Sequence, residues 1–80
     1  MTSISSLIPN EEKIEILTAS KDMVVRDIYR YCAMLGIDAD ALDVETYEAE
    51  IPVSRHEYVQ LENSCKTLMN INAKLSALGS

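Results

Sequence analysis

Three leucines spaced by seven, Leu61, Leu68 and Leu75, follow a well-formed helix start in the second half of the chain. In Val53-Ser54-Arg55-His56-Glu57-Tyr58, the Ser54 hydroxyl is placed to accept the Glu57 amide while the Glu57 carboxylate reaches back to the amide of Ser54. Val53 and Tyr58 flank this capping box as a hydrophobic staple. The pattern predicts a helix over 55–78, ~36 Å long at 1.5 Å per residue. With the leucines at heptad position d, the a positions are Tyr58, Cys65 and Asn72, so the seam carries one amide near its far end. Such a seam is built for association, not for chemistry.

A simple parallel zipper does not fit the flanking positions. Glu57 would face Glu62 of the partner helix, and Met69, Ile71 and Leu78 are apolar where a two-stranded zipper carries charge. The apolar face is wide, which predicts a bundle. Asn72 has two readings: it pairs with a symmetry mate and fixes register, or it lies beside solvent near the helix end and binds water.

The first half predicts a second amphipathic helix over 11–35. Leu17, Val24, Ile28, Tyr31 and Leu35 recur at three- and four-residue spacing, with Val25 and Cys32 widening the stripe. Asn10 is the expected N-cap, and Glu11 and Glu12 suit the positive end of the helix dipole. Gly36 followed by Ile37 ends the pattern, because glycine takes the left-handed conformation and the next apolar residue packs back. Thr18-Ala19-Ser20 is the weakest stretch, and a break there with Ser20 capping a new helix is the alternative. Residues 1–9, rich in Ser and Thr and anchored only by Ile4, Leu7 and Ile8, read as a flexible or lightly docked arm.

Between the helices, 37–53 forms an acidic linker. Asp38 to Glu50 holds six carboxylates and no Lys or Arg. Its periodicity fits two structures: Tyr47, Ala49, Ile51 and Val53 alternate as in a half-buried strand, whereas Val44, Tyr47 and Ile51 sit at helical spacing. Pro52 prevents a helix here from continuing into the next element.

Composition narrows the function classes. Eighty residues make one thin-cored domain, with four Tyr and neither Trp nor Phe. Small scaffolds of this kind gain stability from disulfides, metals or oligomerisation. Cys32 and Cys65 stand 33 positions apart without the paired spacing of a disulfide framework or zinc site, leaving oligomerisation. The net charge of −6 and the scattered seven Lys and Arg disfavour direct nucleic-acid binding. No stretch approaches the ~20 apolar residues of a membrane span, and Met1 to Pro9 lacks signal-peptide features, so the expected location is cytoplasmic.

Several partial motifs fail on inspection. His56-Glu57 opens like a zinc-protease helix, but Gln60 stands where the second histidine belongs. Asp38 and Asp40 imitate a calcium loop, yet Leu42, Asp43 and Ala49 occupy the third-ligand, glycine and bidentate-glutamate positions. A Cys–His nucleophile would need His56 beside a cysteine, and Cys65 lies ~13 Å further along the same helix. With only Gly36 and Gly79 there is no phosphate-binding glycine loop. Arg26 and Arg30, with Asp22 and Asp27, read as a solvated helix face.

These observations point to an all-α fold: an antiparallel hairpin of two long helices, its acidic linker containing a short strand or helix, associating into a four-helix-bundle-type homo-oligomer. The expected oligomer interface is Tyr58, Leu61, Cys65, Leu68, Asn72 and Leu75 with Val24, Ile28, Tyr31 and Leu35. The expected function is non-enzymatic: a small acidic adaptor, regulator or inhibitor that binds a protein through Asp43, Glu45, Tyr47, Glu48 and Glu50, with Tyr29 and Tyr58 as further anchors. No cofactor or metal is expected. Two alternatives are an acidic inhibitor, of the kind phage encode, that mimics nucleic-acid phosphates at a basic site, and a structural subunit or secretion chaperone. A small-molecule pocket between subunits is a third and weaker one.

Overall fold

Residue Gly36 reverses the chain, and its backbone shows how. In the computed structural model, which describes residues 3–48 and 56–79, Gly36 has φ 72° and ψ 23°. Its amide and that of Ile37 both point to the Cys32 carbonyl, the latter at 2.9 Å. This Schellman-type closure ends helix α1, Asn10–Leu35, at the expected residue. Helix α2, His56–Ala77, packs along it to give the helical hairpin. Leu17 lies near Ala77 and Leu78, whereas Cys32 shares a cluster with Leu61 and Cys65, so the two helices run antiparallel.

Helix α1 differs from expectation at two points. Asn10 is its first helical residue and not its cap: Pro9, extended at φ −61° and ψ 151°, occupies the cap position, with no side chain bonding the orphan amides. The Lys13 amide takes the Pro9 carbonyl at 3.0 Å to begin the ladder, and Glu11 and Glu12 supply the favourable charge. The helix also runs unbroken through Thr18-Ala19-Ser20. Leu17 and Val24, two turns apart on one face, reach α2 together only if the helix between them stays regular.

The core is a single seam. Ile28, Cys32, Leu61, Cys65 and Leu68 form its cluster, and Ile71 and Leu75 carry the buried line of α2 toward its end. Leu61 is 0% exposed, a burial that contributes about 1.5–3 kcal/mol. Of the two readings of Asn72, the one beside solvent agrees with its place within the chain. Ile71 and Asn72 straddle the line through Leu68 and Leu75, about 100° apart at 3.6 residues per turn, and Ile71 turns inward while Asn72 is exposed. Burying the isoleucine is favourable, and burying the amide without a partner costs free energy.

The linker is neither strand nor helix over 37–48. Val44 and Thr46 lie in a turn, and 49–55, with Ser54 of the expected capping box and the expected helix start at Arg55, fall outside the described residues. At the other end, Ile4–Leu7 forms one 3-10 turn capped by the Ser3 hydroxyl, and Lys13 Nζ donates to Ser5 Oγ at 2.8 Å. The radius of gyration is 15.0 Å, against about 12 Å for an average domain of this length. A hairpin this slender covers only one side of each helix.

Candidate functional site

The acidic linker folds as two copies of one five-residue unit. Asp38 Oδ1 accepts the Asp40 amide at 3.0 Å, and Asp43 Oδ1 accepts the Glu45 amide at 3.0 Å. Each aspartate also closes a turn through its main-chain carbonyl, which accepts the Ala41 amide in the first unit and the Thr46 and Tyr47 amides in the second. An aspartate that bonds the amide two residues on fixes a local turn with no help from a sheet or helix ladder. Asp38-Ala39-Asp40-Ala41-Leu42 and Asp43-Val44-Glu45-Thr46-Tyr47 thus share one conformational logic.

The second and fifth residues of each unit turn inward. Ala39, Leu42, Val44 and Tyr47 are partly buried and pack on the helix core, as do Val24, Tyr31, Leu35 and Ile37. The carboxylates of Asp38, Asp40, Asp43 and Glu45 stay exposed, with Glu48 exposed just beyond them. The result is an acidic ribbon held down by its apolar positions. Repulsion among its charges is eased by solvent, because none of these carboxylates is buried.

The expected partner-binding residues divide accordingly. Asp43, Glu45 and Glu48 are displayed, and Glu50 lies outside the described residues. Tyr47 is half-buried, and its phenol is pushed above its ordinary value, first by burial and then by the neighbouring Cys65, Tyr58, Glu62 and Cys32 groups. It packs the ribbon against the helix core. Tyr58 is half-buried, whereas Tyr29 is 68% exposed.

Most of the expected oligomer surface lies inside the chain. Leu61, Cys65, Leu68 and Leu75 are buried with Ile28, and Val24, Tyr31 and Leu35 pack against the same core. Asn72 borders a shallow surface depression with Met69, Val44, Glu45 and Thr46, where the second turn unit passes over α2. The two thiols are also interior, each 1% exposed. Burial raises the pKa of both, with Asp38 adding to the effect at Cys32, and Cys32 and Glu62 adding to it at Cys65. A protonated, enclosed thiol is a poor nucleophile.

The remaining motifs take simple places. No protein-family model matches the chain, and no curated protein or solved structure matches it. His56 is exposed at the start of α2, and no group of three or more metal-binding side chains assembles among the described residues. The calcium-loop imitation at Asp38 is the first turn unit, its Oδ1 satisfied by a backbone amide. Arg30 pairs with Asp27 at 3.2 Å and lies over the Tyr31 ring at 5.3 Å, and Lys66 pairs with Glu62 at 3.8 Å. No described helix is long and apolar enough to cross a membrane. Sequence reading missed the repeat within the linker, although the spacing of Asp38 to Asp43 and of Leu42 to Tyr47 carries it.

Proposed function

We propose that the chain is a non-enzymatic protein-interaction module that presents its acidic ribbon to a basic surface on another protein. The ordered display of Asp38, Asp40, Asp43 and Glu45 by two repeated turns carries this reading. A solvating linker needs charge but no fixed geometry, whereas recognition gains from carboxylates held in place before contact. Self-association is the second part of the proposal. With the leucine seam inside the hairpin, a homo-oligomer forms through outward apolar residues such as Met23, 69% exposed, and Tyr29.

The same ribbon supports one narrower reading, an inhibitor that occupies a basic nucleic-acid- or nucleotide-binding site by imitating phosphates. The two differ in what competes. A nucleic acid or nucleotide displaces the mimic from its target, and leaves a plain adaptor bound.

The test is capture of partners from the native host with the wild-type chain and with a variant carrying Asp43→Asn, Glu45→Gln, Glu48→Gln and Glu50→Gln. The variant keeps an amide oxygen at 43 to hold the turn. Binding should fall with rising salt and be lost in the variant. Binding that survives both changes overturns the proposal. Sedimentation equilibrium at micromolar concentration decides the oligomer, and a strict monomer refutes that part alone.

A further inference from the structure

The end of the hairpin far from the acidic ribbon is chemically its opposite. There a groove of about 370 Å³ opens between the N-terminal turn and the two helices. Ile4 and Ile8 form one wall, Ile16 and Leu17 of α1 another, and Ala77 and Leu78 the third. Ser5, Lys13 and Lys74 complete the lining, and among the described residues no carboxylate contributes to it. In a chain with 13 acidic and seven basic residues, this is a marked local excess of positive charge beside apolar surface. Neither lysine is in an ion pair among the described residues, and Lys13 instead donates to Ser5.

We infer that this groove binds a small anionic amphiphile: a linear hydrocarbon chain laid along the isoleucine and leucine walls, with a terminal carboxylate between Lys13 and Lys74. Size favours such a ligand over a peptide helix. A docked helix anchors itself over residues i to i+7, about 10 Å, whereas the groove is lined only over 13–17 of α1 and 74–78 at the end of α2, about 6 Å each. Its volume does fall within the range of small-molecule sites, which are mainly apolar with a few polar groups that set orientation. Charge selects the headgroup, because an ammonium would meet two like charges and an uncharged headgroup would gain neither ion pair. This site is independent of the acidic ribbon, and either reading can fail alone.

The experiment is an amide NMR titration of the full chain with decanoate, alongside hexanoate and decyltrimethylammonium, all below micelle formation. Decanoate should move the signals of Ile8, Ile16, Leu17 and Ala77, with affinity rising roughly two- to fourfold per added methylene from hexanoate upward. Lys13→Gln and Lys74→Gln should each weaken it by roughly two- to fivefold at low salt. Ile16→Ser, at a half-exposed site where folding is preserved, should weaken it without altering its salt dependence. Equal binding of the cationic amphiphile, unchanged affinity in both lysine variants, or shifts confined to residues 38–48 would each overturn the inference. Groove signals that already move on dilution of the free protein would place a second copy there, and would overturn it as well.

Discussion

The Ile37 amide donates to the Cys32 carbonyl at 2.9 Å across the left-handed turn at Gly36. One residue therefore serves two structures: the Cys32 side chain lies in the helix seam while its carbonyl fixes where the linker leaves. The turn needs φ 72°, and a side chain at Gly36 would meet nothing within 4 Å. Gly36→Ala should accordingly lower stability by about 1–2 kcal/mol through backbone strain alone. Urea unfolding followed by circular dichroism measures it; an unchanged midpoint would mean that the turn relaxes.

The two linker turns make a graded prediction. Asp43→Ala removes the acceptor for the Glu45 amide and should cost about 0.5–1 kcal/mol, while Asp43→Asn keeps the acceptor and should cost less. Hydrogen exchange at the Glu45 amide gives a local readout, faster in the alanine variant and near wild type with asparagine.

Leu61 and Asn72 should separate the interior of the hairpin from its surface. Leu61→Ala empties a fully enclosed site and should cost about 2–4 kcal/mol, enough to unfold much of a domain this thin. Asn72→Ala, at an exposed position, should stay within about 0.5 kcal/mol and leave the sedimentation mass unchanged. A shift in mass would restore Asn72 to an intermolecular seam.

Alkaline pH should destabilise the fold through two buried thiols and one half-buried phenol. The Cys32 and Cys65 thiols are raised above 9.0 and the Tyr47 phenol above 10.0. Below those ordinary values both states hold their protons and stability is unaffected; above them the unfolded chain releases protons first, so stability falls. Urea midpoints should therefore decline from about pH 9 upward. The decline should be shallower in Cys65→Ala, compared with its own midpoint at neutral pH. Native protein should also resist thiol alkylation until it unfolds.

How much of this was legible in the residues follows from the scale of each signal. The helices were clear because Leu17, Val24, Ile28 and Leu35, and then Leu61, Leu68 and Leu75, repeat at helical spacing over many turns. The stop at Gly36 was clear because a single residue type satisfies it. The destination of the leucine face was not: a heptad seam looks the same whether its partner is another chain or the preceding helix, and only the hairpin turns it inward. Choosing between Ile71 and Asn72 required knowing which way α2 rotates about that seam. The ribbon was hidden because a period of five matches neither strand nor helix, and its six carboxylates drew attention from Leu42, Val44 and Tyr47. The groove was illegible for another reason, since Ile4, Leu17 and Leu78 come together only in three dimensions.

Asp38 and Asp43 give the linker a unit of length. Adding or removing five residues in register should leave the acids of 38–47 facing water and the anchors facing the helices, whereas a change of one residue should turn charge toward the core. The linker should thus accept changes of length in steps of five residues, and a longer hairpin tip should gain charge and anchors together, one turn at a time.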